Sequence, residues 1–275
     1  MLEVTILKGE HGTEEDAQKL LPYIKKCDVY APECAFLTRG EAEIEEQVFE
    51  QLLSLNLNRN KLYELLEQSQ TNVHHYYNYP KFGIKEREYL YQERKRLWHV
   101  ERFLPEEAEN GMATHNTGAV ILIEAARKFL EGNIEEYLKK FRNHLLLLEQ
   151  ICEQRDIHIA QNLASAEENI RKRYPQLAEK ESISLCVALG ADHRVEKLYP
   201  TAVPIYLLDA PRTAMDRLNA VRTKKIPPDE INSALLLAVG ATTLLGFSEA
   251  EVEQLGFDEL TEKIRKKISE QRGAE

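Results

Sequence analysis

Leu2-Glu3-Val4-Thr5-Ile6-Leu7-Lys8 runs without a break into Gly9-Glu10-His11-Gly12, and Thr13-Glu14-Glu15-Asp16 follows at once. The first seven residues are β-branched and leucine-rich, which suits a strand. Gly9 and Gly12 end it and let the backbone approach whatever lies beyond. Thr13 is a good helix cap, and the three acids behind it complement the positive end of a helix dipole. Leu20, Leu21 and Ile24 give this helix an apolar face, while Pro22 keeps it short or bent. A second strand, Asp28 to Ala31, closes at Pro32-Glu33-Cys34. Strand, helix and strand within about thirty residues is the size of a βαβ unit. The expected fold class is therefore α/β with a mostly parallel central sheet, its strands parallel and adjacent.

Working outward, apolar spacing predicts helices across 41–69, broken at Asn56-Leu57-Asn58-Arg59-Asn60. The charged stretch 84–104 reads as a further helix with Leu97 and Trp98 on its core side. Helices follow near 117–131, 134–152 and 155–173, the last stopped by Pro175. The sheet resumes at Ile183 to Leu189, which closes with Gly190-Ala191-Asp192-His193, and a last strand runs from Val203 to Leu208. Helices near 213–223, 228–246 and 256–270 complete the chain, with a capped turn at Ser248 and Glu251. The pattern predicts a helix-rich single domain over 1–275. Its α/β core comes from about 1–40 and 183–210, around a large helical insertion at about 41–175, with C-terminal helices at about 211–270.

Apolar residues make up 43% of the chain and charged residues 30%, the balance of a globular protein. The net charge, 36 − 46 = −10, repels phosphate backbones and argues against nucleic acid as a partner. The N-terminus lacks the basic and apolar regions of a signal peptide, and Ala234 to Phe247 is too short to span a bilayer. A cytoplasmic protein without a membrane partner is expected. Cys27, Cys34, Cys152 and Cys186 show no Cys-x-x-Cys spacing, which predicts reduced thiols.

Open parallel sheets bind ligands beyond the carboxyl ends of their strands. Three predicted strands end in groups suited to chemistry: Glu10-His11, Glu33 and Asp192-His193. Adjacent parallel strands would bring two imidazoles and two or three carboxylates to one sheet edge, which is costly to bury without use. Asp192 could instead cap a turn. Arg155, His158 and Asn162 are spaced by three and four, so they share a helix face able to hold a carboxylate or a carbonyl. The segment His74-His75-Tyr76-Tyr77-Asn78-Tyr79 reads either as a recognition loop for an amphipathic ligand or as an aromatic loop packed over helices.

Gly9-Glu10-His11-Gly12, Glu33, Arg155-Asp156-x-x-Ile159-Ala160-x-Asn162 and Gly190-Ala191-Asp192-His193 come in the order found in the erythromycin esterase / ChaN / TraB superfamily, which the chain resembles over residues 1 to about 210. The resemblance implies a parallel sheet with a helical insertion and a shared pocket. In it His11 is general base or ligand, Glu10 and Glu33 are its charge partners, His193 lies opposite, and Arg155 and Asn162 line the wall. Glu10 and His11 are adjacent here, where the family has one or two residues between them. The activities implied are hydrolysis of an ester or peptide, with or without a divalent metal (Mn, Co or Zn) on His11, Glu33 and His193. The alternative is a catalytically silent binding or regulatory protein for haem, a peptide or a small molecule. No serine stands in a nucleophile-elbow context, so the acid–base residues would act on water.

Overall fold

In the computed structural model, which describes residues 1–9, 13–70, 80–209, 211–224 and 226–273, five parallel strands form one sheet in a helix-rich α/β fold. Strand β1 (Leu2–Gly9) leads to helix α1 (Glu14–Ile24) and strand β2 (Val29–Ala31). Helices α2 (Arg39–Ser54), α3 (Arg59–Gln70) and α4 (Pro80–Gln92) precede the two-residue strand β3 (Arg96–Leu97). Two long helices, α5 (Pro105–Leu130) and α6 (Ile134–Ala164), and the short α7 (Ala166–Arg173) lead to β4 (Ile183–Gly190). A single turn, α8 (Val195–Leu198), connects to β5 (Val203–Tyr206). The chain ends in α9 (Ala214–Arg222), α10 (Ser233–Leu245), α11 (Glu249–Glu253) and α12 (Phe257–Gly273).

The contacts divide the chain into two compact units, residues 1–110 with 153–208, and residues 111–152 with 209–275. The first unit holds the sheet, in the order β3-β2-β4-β1-β5. Strands β1 and β2 are parallel as expected but are not neighbours, because β4 lies between them. The physical reason is burial: Ser-Leu-Cys-Val-Ala-Leu in β4 is nearly all apolar and belongs at the centre of the sheet. In register, Gly9 pairs with Gly190, so β1 and β4 end together, while β2 stops at Ala31 opposite Val187, three residues earlier, and the chain after it runs on toward the end of β4. Edge strand β5 carries Pro204, whose missing N–H costs least at an edge.

One face of the sheet packs Val4, Ile6 and Leu185 against Ile159, Leu163 and Ile170. The other packs Leu7 and Ala188 with Leu20, Ile24 and Phe49. Helix α1 starts with the reciprocal cap expected of Thr13, closed by Asp16. Two expectations need correction. The charged stretch 84–104 is not one helix: α4 stops at Gln92, Arg94 turns left-handed at φ 52°, and β3 and an irregular segment follow. Trp98 is core all the same, at 1% exposure, but as part of that segment. The predicted helices 134–152 and 155–173 are instead α6, continuous through residue 164, followed by α7.

The second unit is helical. Phe129, Tyr137, Phe141, Leu236, Leu237 and Leu260 are among its buried residues. Asn232 caps α10, Gly246 ends it at φ 66°, and Ser248 and Glu251 form the expected capping box on α11. Among the described residues, no helix is long and apolar enough to cross a membrane.

Candidate active site at the strand ends

Strand β2 gives way to Pro32, which has no N–H for the ladder and turns the chain outward, so Glu33 rises beyond the sheet. Its Oε2 accepts from the backbone N–H of Gly190, the last residue of β4, at 2.5 Å. Its Oε1 accepts from Arg155 Nη2 at 2.8 Å and lies 3.1 Å from His193 Nε2. His193 sits in the turn after β4, and its other ring nitrogen lies 2.5 Å from Asp156 Oδ1. Asp156 Oδ2 accepts from the backbone N–H of Arg194 at 2.6 Å, fixing the same turn from the other side.

Arg155 and Asp156 are consecutive on α6 and both are buried. Beyond Glu33, Arg155 grips Glu101 with a two-pronged contact, Nε to Oε2 at 2.9 Å and Nη2 to Oε1 at 2.6 Å. Its guanidinium lies 6.0 Å from the ring of Phe36. Phe36 takes a left-handed φ of 59°, a strained choice for a bulky residue, in the loop that also carries Glu33. From below, the buried ammonium of Lys8 donates to the His193 carbonyl at 2.5 Å and lies 2.7 Å from each oxygen of Glu196.

Burial opposes a charge on His193, and so does Arg155. The carboxylates of Glu33 and Asp156 outweigh both and push the imidazole up to about 9. At neutral pH it is therefore an imidazolium between two carboxylates. The Glu33 side chain is 19% exposed, against 2% for His193 and 7% for Asp156. Glu33 is thus the most exposed of the three, its two oxygens hydrogen-bonded, over a buried imidazolium.

Glu33, Arg155 and His193 come together as the sequence suggests. Glu10 and His11 lie outside the described residues, as does the His74 to Tyr79 segment. Asp192 is half-buried in the turn with His193. On the Arg155, His158 and Asn162 face, Arg155 is taken up by the protein's own Glu33 and Glu101, and Asn162 donates to the Val100 carbonyl at 2.7 Å. His158 instead stacks on Phe103, with ring centroids 4.0 Å apart. Asp156, Glu101, Lys8 and Glu196 were not anticipated. Asp156 falls off the three-and-four spacing, and Glu101 sits in a stretch read as helix. The visible signal is Lys8, a lysine directly after the apolar pair Ile6-Leu7 at the end of β1.

A second buried polar group lies beside the first, because Cys34 follows Glu33 and His99 follows β3. Cys34, Glu45 and His99 each place a donor atom within 4.8 Å of the others, a set able to hold a metal ion. Arg87 binds Glu45 Oε1 through Nη2 at 2.6 Å and Nε at 3.2 Å. Glu45 Oε2 lies 2.9 Å from His99 Nε2, yet the ring N–H is not aligned with it. Burial works against the Glu45 charge, but His99 and Arg87 hold its carboxyl down to about 2. Burial, then the charge of Glu45, push the Cys34 thiol well above its usual range. All four cysteines are free thiols.

Compared with known proteins, the chain matches no family model, no curated protein and no solved structure.

Proposed function

We propose that the Glu33 centre is the reactive site of a hydrolase acting on an ester or a peptide. The observation that carries this reading is the partly exposed Glu33 carboxylate, held by Arg155, His193 and the Gly190 N–H at the carboxyl end of a parallel sheet. The motif order that resembles the erythromycin esterase / ChaN / TraB superfamily supports it, and the role of His11 as general base comes from that resemblance. Glu33 orients the attacking water and His11, two residues beyond the end of β1, accepts its proton. The water oxygen adds to the substrate carbonyl, the C–O or C–N bond breaks, and the proton passes on to the departing alcohol or amine. His193 and Arg155 supply positive charge behind Glu33 and are not its proton acceptors.

A divalent metal on His11, Glu33 and His193 fits these donors poorly. His193 turns its two ring nitrogens to two different carboxylates, so neither is directed at a common point in front of Glu33. No step here depends on such an ion. The test is an ester and peptide panel with the wild-type chain, His11→Ala and Glu33→Gln. Wild-type turnover that falls by about 10²-fold or more in each variant is expected. Equal hydrolysis by all three, or none by any, overturns the reading.

The second reading is a binding or regulatory protein for haem, a peptide or a small molecule. It is favoured by the adjacency of Glu10 and His11 and by the internal matching of Arg155, Asp156 and His193. A ligand that raises the melting temperature without being turned over would select it.

A further inference from the structure

We propose that Cys34, Glu45 and His99 form a binding site for a borderline-soft divalent ion of the zinc and cobalt class, separate from the Glu33 centre. The proposal goes beyond the hydrolase reading and does not depend on it. Three elements deliver the donors: the loop after β2 gives Cys34, helix α2 gives Glu45, and the segment after β3 gives His99. Tetrahedral zinc, with bonds of about 2.0–2.3 Å, sets its ligand atoms about 3.4–3.6 Å apart. The three donor atoms here already lie within 4.8 Å of one another, so little movement is needed.

His99 is the observation that points to a ligand. Its side chain is fully buried, Nδ1 has no hydrogen-bond partner among the described residues, and Nε2 faces Glu45 Oε2 at 2.9 Å without an aligned hydrogen bond. A buried imidazole in that state is costly, and an ion between Nε2 and the Glu45 carboxylate relieves the cost. The supporting shell is built. Arg87 anchors the far oxygen of Glu45, and Glu46 Oε1 accepts from the His99 backbone N–H at 2.8 Å. The donor set selects the metal, since a thiolate with an imidazole and one carboxylate suits zinc or cobalt rather than the oxygen-preferring manganese, magnesium or calcium. Binding releases the Cys34 proton to solvent as the sulfur–metal bond forms. Three protein donors leave a fourth position for water, and the Glu45 side chain, 13% exposed, is the most accessible of the three.

The experiment is a Co(II) titration of the full chain after chelator treatment, followed by Zn(II) displacement. One equivalent should give thiolate-to-cobalt charge transfer with intense tetrahedral visible bands, and zinc should abolish both. Cys34→Ser should remove the charge-transfer band, and His99→Gln should weaken cobalt binding by more than about tenfold. Cys152→Ser should leave the titration unchanged. If either ligand variant fails to fold by circular dichroism, the wild type still decides, because zinc must raise its melting temperature. Absence of both the charge-transfer band and the thermal shift, or bands that persist in folded Cys34→Ser, overturns the site. Loss of the bands in Cys186→Ser, with Cys34→Ser unaffected, would also overturn it, by moving the ion to Cys186.

Discussion

Glu33 and His193, 160 residues apart in sequence, meet at 3.1 Å through Oε1 and Nε2. Two strands that neighbour in the sheet, β2 and β4, carry them to the same edge. Glu33→Gln keeps the shape of the contact and removes the charge. Because Glu33 is a main support for the imidazolium, its neutralisation should lower the His193 pKa by about one unit or more. Proton NMR of the imidazole resonances across pH measures it directly. An unchanged His193 titration would mean that Asp156 alone sustains the charge.

The same imidazolium makes stability depend on pH. The folded value of about 9 lies above the ordinary 6.5, so the folded state binds the His193 proton more tightly than the unfolded chain does. Its stabilisation is complete below about pH 6.5, declines as pH rises, and is gone above about 9. The full effect is on the order of 3 kcal/mol. Glu45 acts with the opposite sign. Its carboxyl is held down to about 2, so its contribution is complete above the ordinary 4.5 and is lost as pH falls through 2. Urea midpoints should therefore be highest between about pH 4.5 and 6.5. His193→Gln should flatten the alkaline decline while leaving the acid limb intact. A midpoint that is constant from pH 6.5 to 9.5 would contradict the account.

Much of this was legible in the chain and some was not, for reasons that differ by residue. The polar endings of β1, β2 and β4 stand out because each interrupts an apolar run, so Glu33 and His193 could be named without a structure. Strand β3 could not. Arg96 and Leu97 are too few to show a period, and the charges around them imitate a helix surface. With β3 hidden, Glu101 and His99 lost their place at the sheet edge, and so did the Cys34, Glu45 and His99 group. Asp156 was hidden by the helix itself. Its side chain lies about 100° around the axis from Arg155, off the face traced through His158 and Asn162, yet the turn after β4 reaches round to meet it.

In the helical unit, Gly240 packs against an aromatic pair. A Cβ at that position would lie 2.7 Å from Phe129 Cε2 and 2.8 Å from Tyr137 Oη. Neither ring can retreat easily: both are buried, their centroids are 4.8 Å apart, and the Tyr137 hydroxyl donates to the Leu236 carbonyl at 2.7 Å. Gly240→Ala would ordinarily stabilise helix α10 by about 1 kcal/mol. Overpacking of about 1–3 kcal/mol should cancel or outweigh that gain. Thermal melts should show an unchanged or lower midpoint, and a clear rise would show that the rings shift freely.

Arg155 and Glu101 offer the sharpest test of how the site is held, since both are buried and joined by two hydrogen bonds. Removing either partner leaves a charge inside the protein with part of its compensation gone. Arg155→Met and Glu101→Leu should each cost about 3–5 kcal/mol. Arg155→Met should cost more, because it also strips a donor from Glu33. The double variant removes both charges and replaces them with apolar volume, so its loss should be well below the sum of the singles. Arg155→Lys is no rescue, because one ammonium cannot reproduce the fork that spans Glu101 and Glu33. Chemical denaturation of the four proteins closes the cycle. Additive losses would mean that Arg155 and Glu101 contribute independently.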